Sequence, residues 1–155
     1  MSIIISPYSK KLPSGKPNPK NYPHWGPVID ELKKDYHIIQ IGLEGETATS
    51  AHEFQKNLSL ERLITLTKEC QTWISVDNFF PHLAFLCFKP GVVLWGQSDP
   101  MIFGYPENIN LIKSRKSLRQ RQFASWDEAD FIDCFVSPTE VIKNVRTILQ
   151  QGVSI

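Results

Sequence analysis

Four short stretches of the chain are dominated by apolar residues and show no regular polar alternation. They are "III" at residues 3–5, "HIIQIG" at 37–42, "WISV" at 73–76 and "VVLWG" at 92–96. Runs of this kind predict strands buried on both faces, as in a parallel sheet. "INLI" at 109–112 predicts a fifth, shorter strand. Between the strands the apolar spacing becomes helical. Trp25, Val28, Ile29 and Leu32 recur at three- and four-residue intervals, and Pro27 suits a first helical turn. Ser59 predicts the cap of a helix whose core face is Leu60, Leu63, Ile64 and Thr67. Residues 79–88 predict a short helix that is apolar on nearly every side and therefore buried on most of them. In "SPTEVIKNVRTILQQG" Ser137 is the cap, Pro138 takes the first helical position, Glu140 completes a capping box and Gly152 marks the end. Val141, Ile142, Val145, Ile148 and Leu149 form its buried face. Strands alternating with helices predict the fold class: α/β, a single Rossmann-like domain over residues 1–155, its parallel sheet covered by helices on both faces.

Three segments fall outside this pattern. Residues 6–24 carry prolines, a glycine and four lysines with no periodicity, which predicts a long loop. A loop of this length in a compact domain is either functional or disordered. "LEGETATSAHEFQKN" is polar and irregular. Residues 113–133 give no clear element. Their first part holds Lys113, Arg115, Lys116, Arg119 and Arg121, and acids at 127, 128, 130 and 133 follow. Close mixing of signs predicts a compensated, solvated surface, so nucleic acid is not an expected partner.

Composition adds exclusions. With 155 residues, 41% apolar and 21% charged, the chain suits one globular domain. A net charge of +1 leaves no global field for nucleic acid or membrane. No apolar run is long enough to span a bilayer, and the start does not read as a signal peptide. The three cysteines, Cys70, Cys87 and Cys134, are scattered in apolar surroundings, which predicts reduced thiols and a cytoplasmic location. No cysteine–histidine cluster predicts a metal, and neither G-x-G-x-x-G nor a P-loop is present.

In an open parallel sheet, ligands sit beyond the carboxyl ends of the strands. That rule selects four loops: Ser6–Lys20, Leu43–Glu46, Asp77–Asn78 and Gly96–Pro100. The stretch "WISVDNFFPHLAF" is notable because a polar break, Asp77 and Asn78, separates strand from helix, and His82 follows five residues after the acid. These residues admit two readings. One of Asp77 and Asn78 is an N-cap and His82 a core residue, or the group meets a sugar hydroxyl or phosphate at the ligand edge. Lys10, Lys11, Lys16 and Lys20 are either solvated or placed to neutralise a diphosphate. Glu44 is either a solvated loop acid or, at a strand end, placed to take ribose hydroxyls. Ser6 in the first loop and Gln97 in the fourth complete the candidate set.

The segments "IIISPYSKK", "KNYPHW", "IIQIGLEGE", "WISVDNFFPHLAF", "KPGVVLWGQSDPMIFGY" and "VSPTEVIKNV" together resemble, in order, the C-terminal, donor-binding half of the family-9, heptosyltransferase-like GT-B glycosyltransferases. The D-x-x-x-x-H-L-A pattern at Asp77–Ala84 and "KPGVVLWGQSDP" carry most of the likeness. The resemblance implies a metal-independent transferase that binds a nucleotide sugar and needs no cofactor. Lys20, in "KNYP", matches a lysine by the donor phosphates, with Tyr22 where the family has tryptophan. Glu44, or alternatively Glu46, matches an acid that contacts the nucleoside. Asp77 matches an acid that contacts the sugar, and His82 matches the family's histidine. Asn78 and Phe79 depart from a hydroxyl residue and glycine whose amides hold phosphate. The resemblance places the acceptor and the catalytic base in a second half, so a partner chain or dimer mate is the expected source of both. The alternative is a non-catalytic module that binds a nucleotide or nucleotide sugar.

Overall fold

The computed structural model describes residues 1–152. Its elements are β1 (Ser2–Ser6), α1 (Trp25–Leu32), β2 (His37–Gly42), β3 (Glu53–Lys56), α2 (Leu60–Glu69), β4 (Thr72–Val76), α3 (Phe80–Leu86), β5 (Val92–Trp95), α4 (Pro100–Phe103), β6 (Ile109–Ile112) and α5 (Pro138–Gln151). All six strands pair in parallel, in the order β3-β2-β1-β4-β5-β6. Successive side chains of a strand point to opposite faces, so each apolar run feeds two cores at once. Ile3, Ile5, Ile74, Val76, Val92 and Leu94 meet α1 and α5 on one face. Ile4, Ile39, Ile41, Trp73, Val93 and Trp95 meet α2 and α3 on the other. The expected α/β class, parallel sheet and two helical layers are therefore present.

The caps read from sequence also form. Ser59 accepts from the Arg62 amide and Ser137 from the Glu140 amide. Three expectations change. The polar stretch after β2 contains β3, an edge strand of sequence EFQK that lies outside both apolar cores. In α2, Leu60 is 62% exposed and Leu66 is buried instead, because the helix packs through Leu63, Ile64, Leu66 and Thr67. In α3, Phe80, Leu83 and Ala84 are buried, but Phe85, Leu86 and the following Phe88 are exposed. That helix is apolar on its outer face as well as its inner one, and is not enclosed.

The sheet order puts β1 at the centre, with successive connections running outward from it on either side. The strand-end crevice lies where the loops after β1 and β4 diverge, which is where ligands bind in open α/β sheets. Gln40, wholly buried in β2, fixes one wall of that crevice. Its amide donates to the Thr47 carbonyl (3.0 Å) and accepts from the Thr49 amide (2.7 Å), tying down the connection that carries Glu44 and Glu46.

Candidate functional site

The loop from Ser6 to Trp25 is ordered by its own polar side chains. Asn18 accepts from the Lys20 amide and donates to the Lys10 carbonyl, both at 3.0 Å. Asn21 accepts from the Ser9 amide at 2.8 Å. Gly15, at φ +80°, closes a turn back to Leu12 that a side chain would strain. Leu12 and Tyr22 are buried, and the Tyr22 hydroxyl donates to the Val136 carbonyl at 3.0 Å. On its outer side, Ser14 bonds to Asp127, and the Lys16 ammonium donates to the Asp127 carbonyl at 2.8 Å. The two long irregular segments thus brace each other.

Together they roof a cavity of about 850 Å³ at the carboxyl ends of β1, β2 and β4. This volume falls in the range of small-molecule sites. Lys20 and Asp77 meet within it, Nζ to Oδ2 at 3.1 Å, with side chains only 20% and 10% exposed. Ser9 also donates to the Asp77 carbonyl. The apolar floor is Ile41, Leu58 and Leu63, and the far wall is the Leu43–Glu46 turn. Tyr8 lines the cavity too. Burial pushes its phenol above the usual range, and the nearby Glu46 carboxylate adds to this.

The candidate residues divide. Lys20, Asp77, Ser6, Asn78 and Glu44 all border the cavity, whereas His82 and Gln97 do not. Asn78 has every hydrogen-bonding position in use. It donates to Ser6 Oγ (2.8 Å) and the Tyr8 carbonyl (3.1 Å), and accepts from Ser75 Oγ (3.0 Å) and the Phe80 amide (2.9 Å). It knots β1 to β4 and satisfies the start of α3. Glu44 is exposed and faces Lys56 at 3.6 Å, while Glu46 accepts from the Leu43 amide at 2.5 Å within its own turn. Gln97 is buried, and its amide donates to the Asp130 carbonyl at 2.8 Å.

His82 is exposed rather than a core residue. Its Nδ1 lies 2.7 Å from the Tyr105 hydroxyl, and Phe85 stacks on the same tyrosine. The basic run is largely spent on internal contacts. Arg115 grips Asp99 through both guanidinium nitrogens at 2.9 and 3.0 Å, which holds that carboxyl below its usual range. Arg121 pairs with Glu128.

One wall of the cavity has no antecedent in the sequence reading. Trp126 lines it, with the Arg119 guanidinium 3.5 Å from its ring centroid and Lys20 Nζ at 5.1 Å. Arg119 binds the carbonyls of Gln122, Ala124 and Ser125, so the chain folds around it and presents the indole. In the sequence Trp126 is one of three aromatics, with Phe123 and Phe131, in a charged, aperiodic segment, and nothing singles it out. A second groove, about 650 Å³ and shallower, runs between α1 and α5, where Arg146 is already paired with Glu31. Among the described residues no group of His, Cys, Asp and Glu is placed to hold a metal, and no helix is long and apolar enough to cross a membrane.

Fold and cavity define a Rossmann-like α/β domain with a ligand crevice at its strand ends. No family profile matches the chain, and no curated protein matches it in sequence. Solved structures do match its fold, among them a family-9 glycosyltransferase and several heptosyltransferases. A family-9 glycosyltransferase from Veillonella parvula superposes with TM-score 0.71 at 19% identity, over 97% of this chain and 46% of that one. ADP-heptose LPS heptosyltransferase II of E. coli gives 0.69 at 15%, over 97% and 46%. The E. coli heptosyltransferase WaaC, solved with ADP, gives 0.60 at 17%, over 82% and 41%. The chain therefore spans less than half the length of these proteins, as one half of a GT-B fold does.

Proposed function

We propose that the cavity binds a nucleoside diphosphate sugar. The observation that carries this reading is the Lys20–Asp77 pair, nearly enclosed within a strand-end cavity, in the fold of proteins of which one has been solved with ADP. The nucleoside lies against Leu58 and Leu63 with its ribose toward Glu44 or Glu46. The sugar lies toward Asp77, where a carboxylate accepts from hydroxyls. His82, outside the cavity, and Gln97, tied to Asp130, act on the ligand only through their neighbours.

The chemistry that fits this site is glycosyl transfer. The bond from the sugar's anomeric carbon to the diphosphate oxygen breaks, a bond to an acceptor oxygen forms, and the acceptor proton passes to a base. Positive charge by the departing diphosphate lowers the barrier without a metal. The acceptor and base come from a partner chain or a second copy of this chain, covering the exposed Leu43 and Phe79 that border the cavity. Three free thiols suit a reducing, cytoplasmic compartment. A second reading, a binding module without turnover, is favoured by one feature. Asn78 and Phe79 occupy the start of α3, and the Phe80 amide is already taken.

Calorimetric titration with ADP, UDP, GDP and their common sugar conjugates tests the proposal. One nucleotide sugar is expected to bind, more tightly than its bare diphosphate. Absence of binding across the panel at millimolar ligand contradicts it.

A further inference from the structure

Among the lysines of the first loop, two are committed and two are not. Lys16 braces the roof from outside the cavity, through the Asp127 carbonyl. Lys20, which the resemblance places by the phosphates, instead neutralises Asp77. Lys10 and Lys11 both border the cavity, and among the described residues neither ammonium has a hydrogen-bond or ion-pair partner. The Lys11 ammonium lies beside the β2–β3 turn, 3.7 Å from where a Cβ on Gly45 would stand. It thus reaches across the cavity mouth from the opposite loop.

The acids facing them are mostly occupied. Glu44 is by Lys56, Asp77 holds Lys20, and Glu46 is turned onto the Leu43 amide. The other usual source of anion binding, the amides at a helix start, is closed here. Asn78 takes the Phe80 amide, and Phe79, 58% exposed, stands at the α3 cap and borders the cavity.

We infer that Lys10 and Lys11 hold the diphosphate of the ligand, and that Lys20 serves the sugar end by fixing the Asp77 carboxylate. This rests on the proposed nucleotide-sugar site and assigns its charges. Two ammonium groups on an exposed loop can close on a diphosphate as point charges without demanding the geometry of a helix terminus. The arrangement compensates for the residues at 78 and 79, which leave no room for a phosphate cradle on α3.

The test compares wild type, the double variant Lys10→Gln/Lys11→Gln, Lys20→Gln, and Lys143→Gln on α5 as a charge control. Each is titrated with the nucleoside diphosphate that wild type binds best, with the parent nucleoside and with inorganic pyrophosphate, at two salt concentrations. The double variant is expected to lose about tenfold or more in diphosphate affinity, with a flatter salt dependence, while nucleoside binding holds. Lys20→Gln is expected to weaken the nucleotide sugar more than the bare diphosphate. Unchanged diphosphate binding in the double variant, or a loss confined to Lys20→Gln, overturns the assignment while leaving the site intact. An equal loss for nucleoside and diphosphate, with an unchanged melting temperature, also overturns it. A wild type that binds no nucleotide removes the parent reading, and this assignment with it.

Discussion

Trp73→Ala is expected to lower the unfolding free energy by about 3–5 kcal/mol, the usual cost of truncating a fully buried tryptophan. The indole is 0% exposed, packs edge-on to Phe80 at 5.4 Å and donates to the Lys89 carbonyl at 2.9 Å. Truncation opens a cavity in the α2–α3 core and leaves that carbonyl unpaired. For a chain of this size the loss corresponds to a melting temperature lower by on the order of 10 °C. Gly91 provides the internal check. A Cβ there would sit 2.2 Å from Trp73 Cδ2, so Gly91→Ala alone forces the indole or the backbone to move. With the indole gone the clash is gone. The two substitutions are therefore expected to be strongly non-additive, the double variant being little worse than Trp73→Ala. Additive losses in thermal or denaturant unfolding would show that the Trp73–Gly91 contact is not what sets this corner of the fold.

Asp77→Asn is expected to leave the fold in place and remove selectivity for the sugar. The substitution keeps size and keeps the backbone carbonyl that Ser9 binds. It removes the charge that holds Lys20 at 3.1 Å. Loss of a charged acceptor for sugar hydroxyls is worth about 1.5–3 kcal/mol, roughly ten- to a hundredfold in affinity for the nucleotide sugar. The bare nucleoside diphosphate should bind as well as before or better, because Lys20 is released toward the anion. Calorimetry on both ligands reads the ratio directly. A parallel loss for both would mean that Asp77 supports the cavity as a whole and does not read the sugar.

The sheet was legible because its strands are buried on both faces, and the apolar runs follow directly from that. The caps at Ser59 and Ser137 were legible for an equally local reason: a short oxygen side chain beside free amides. β3 was not, since an edge strand of EFQK buries little and carries no pattern. The exposed Leu60 and the outer face of α3 misled because apolar residues at helical spacing were assigned to a core. Of the candidate site, Ser6, Lys20, Glu44, Asp77 and Asn78 followed from one topological rule about strand ends and do border one cavity. Gln97 followed from the same rule and does not, because the loop after β5 turns toward residues 119–130 instead. His82 looked like part of the group because it is close in sequence to Asp77. Helical geometry carries it to the outer face, beside Tyr105. Trp126 and the roof it belongs to were hidden because they are built from side chain-to-carbonyl contacts around Arg119, which leave no periodic trace.

The central claim is that the ligand lies in the β1–β2–β4 strand-end cavity under the Lys20–Trp126 roof. The most direct measurement is a ¹H–¹⁵N correlation spectrum of the labelled protein, recorded while the best-binding nucleotide sugar is added. The account predicts shifts concentrated at Ser9–Lys20, Leu43–Glu46, Asp77–Phe79 and the Trp126 indole, with the α1–α5 groove silent. Shifts centred on Glu31 and Arg146, or scattered without relation to the strand ends, would contradict it.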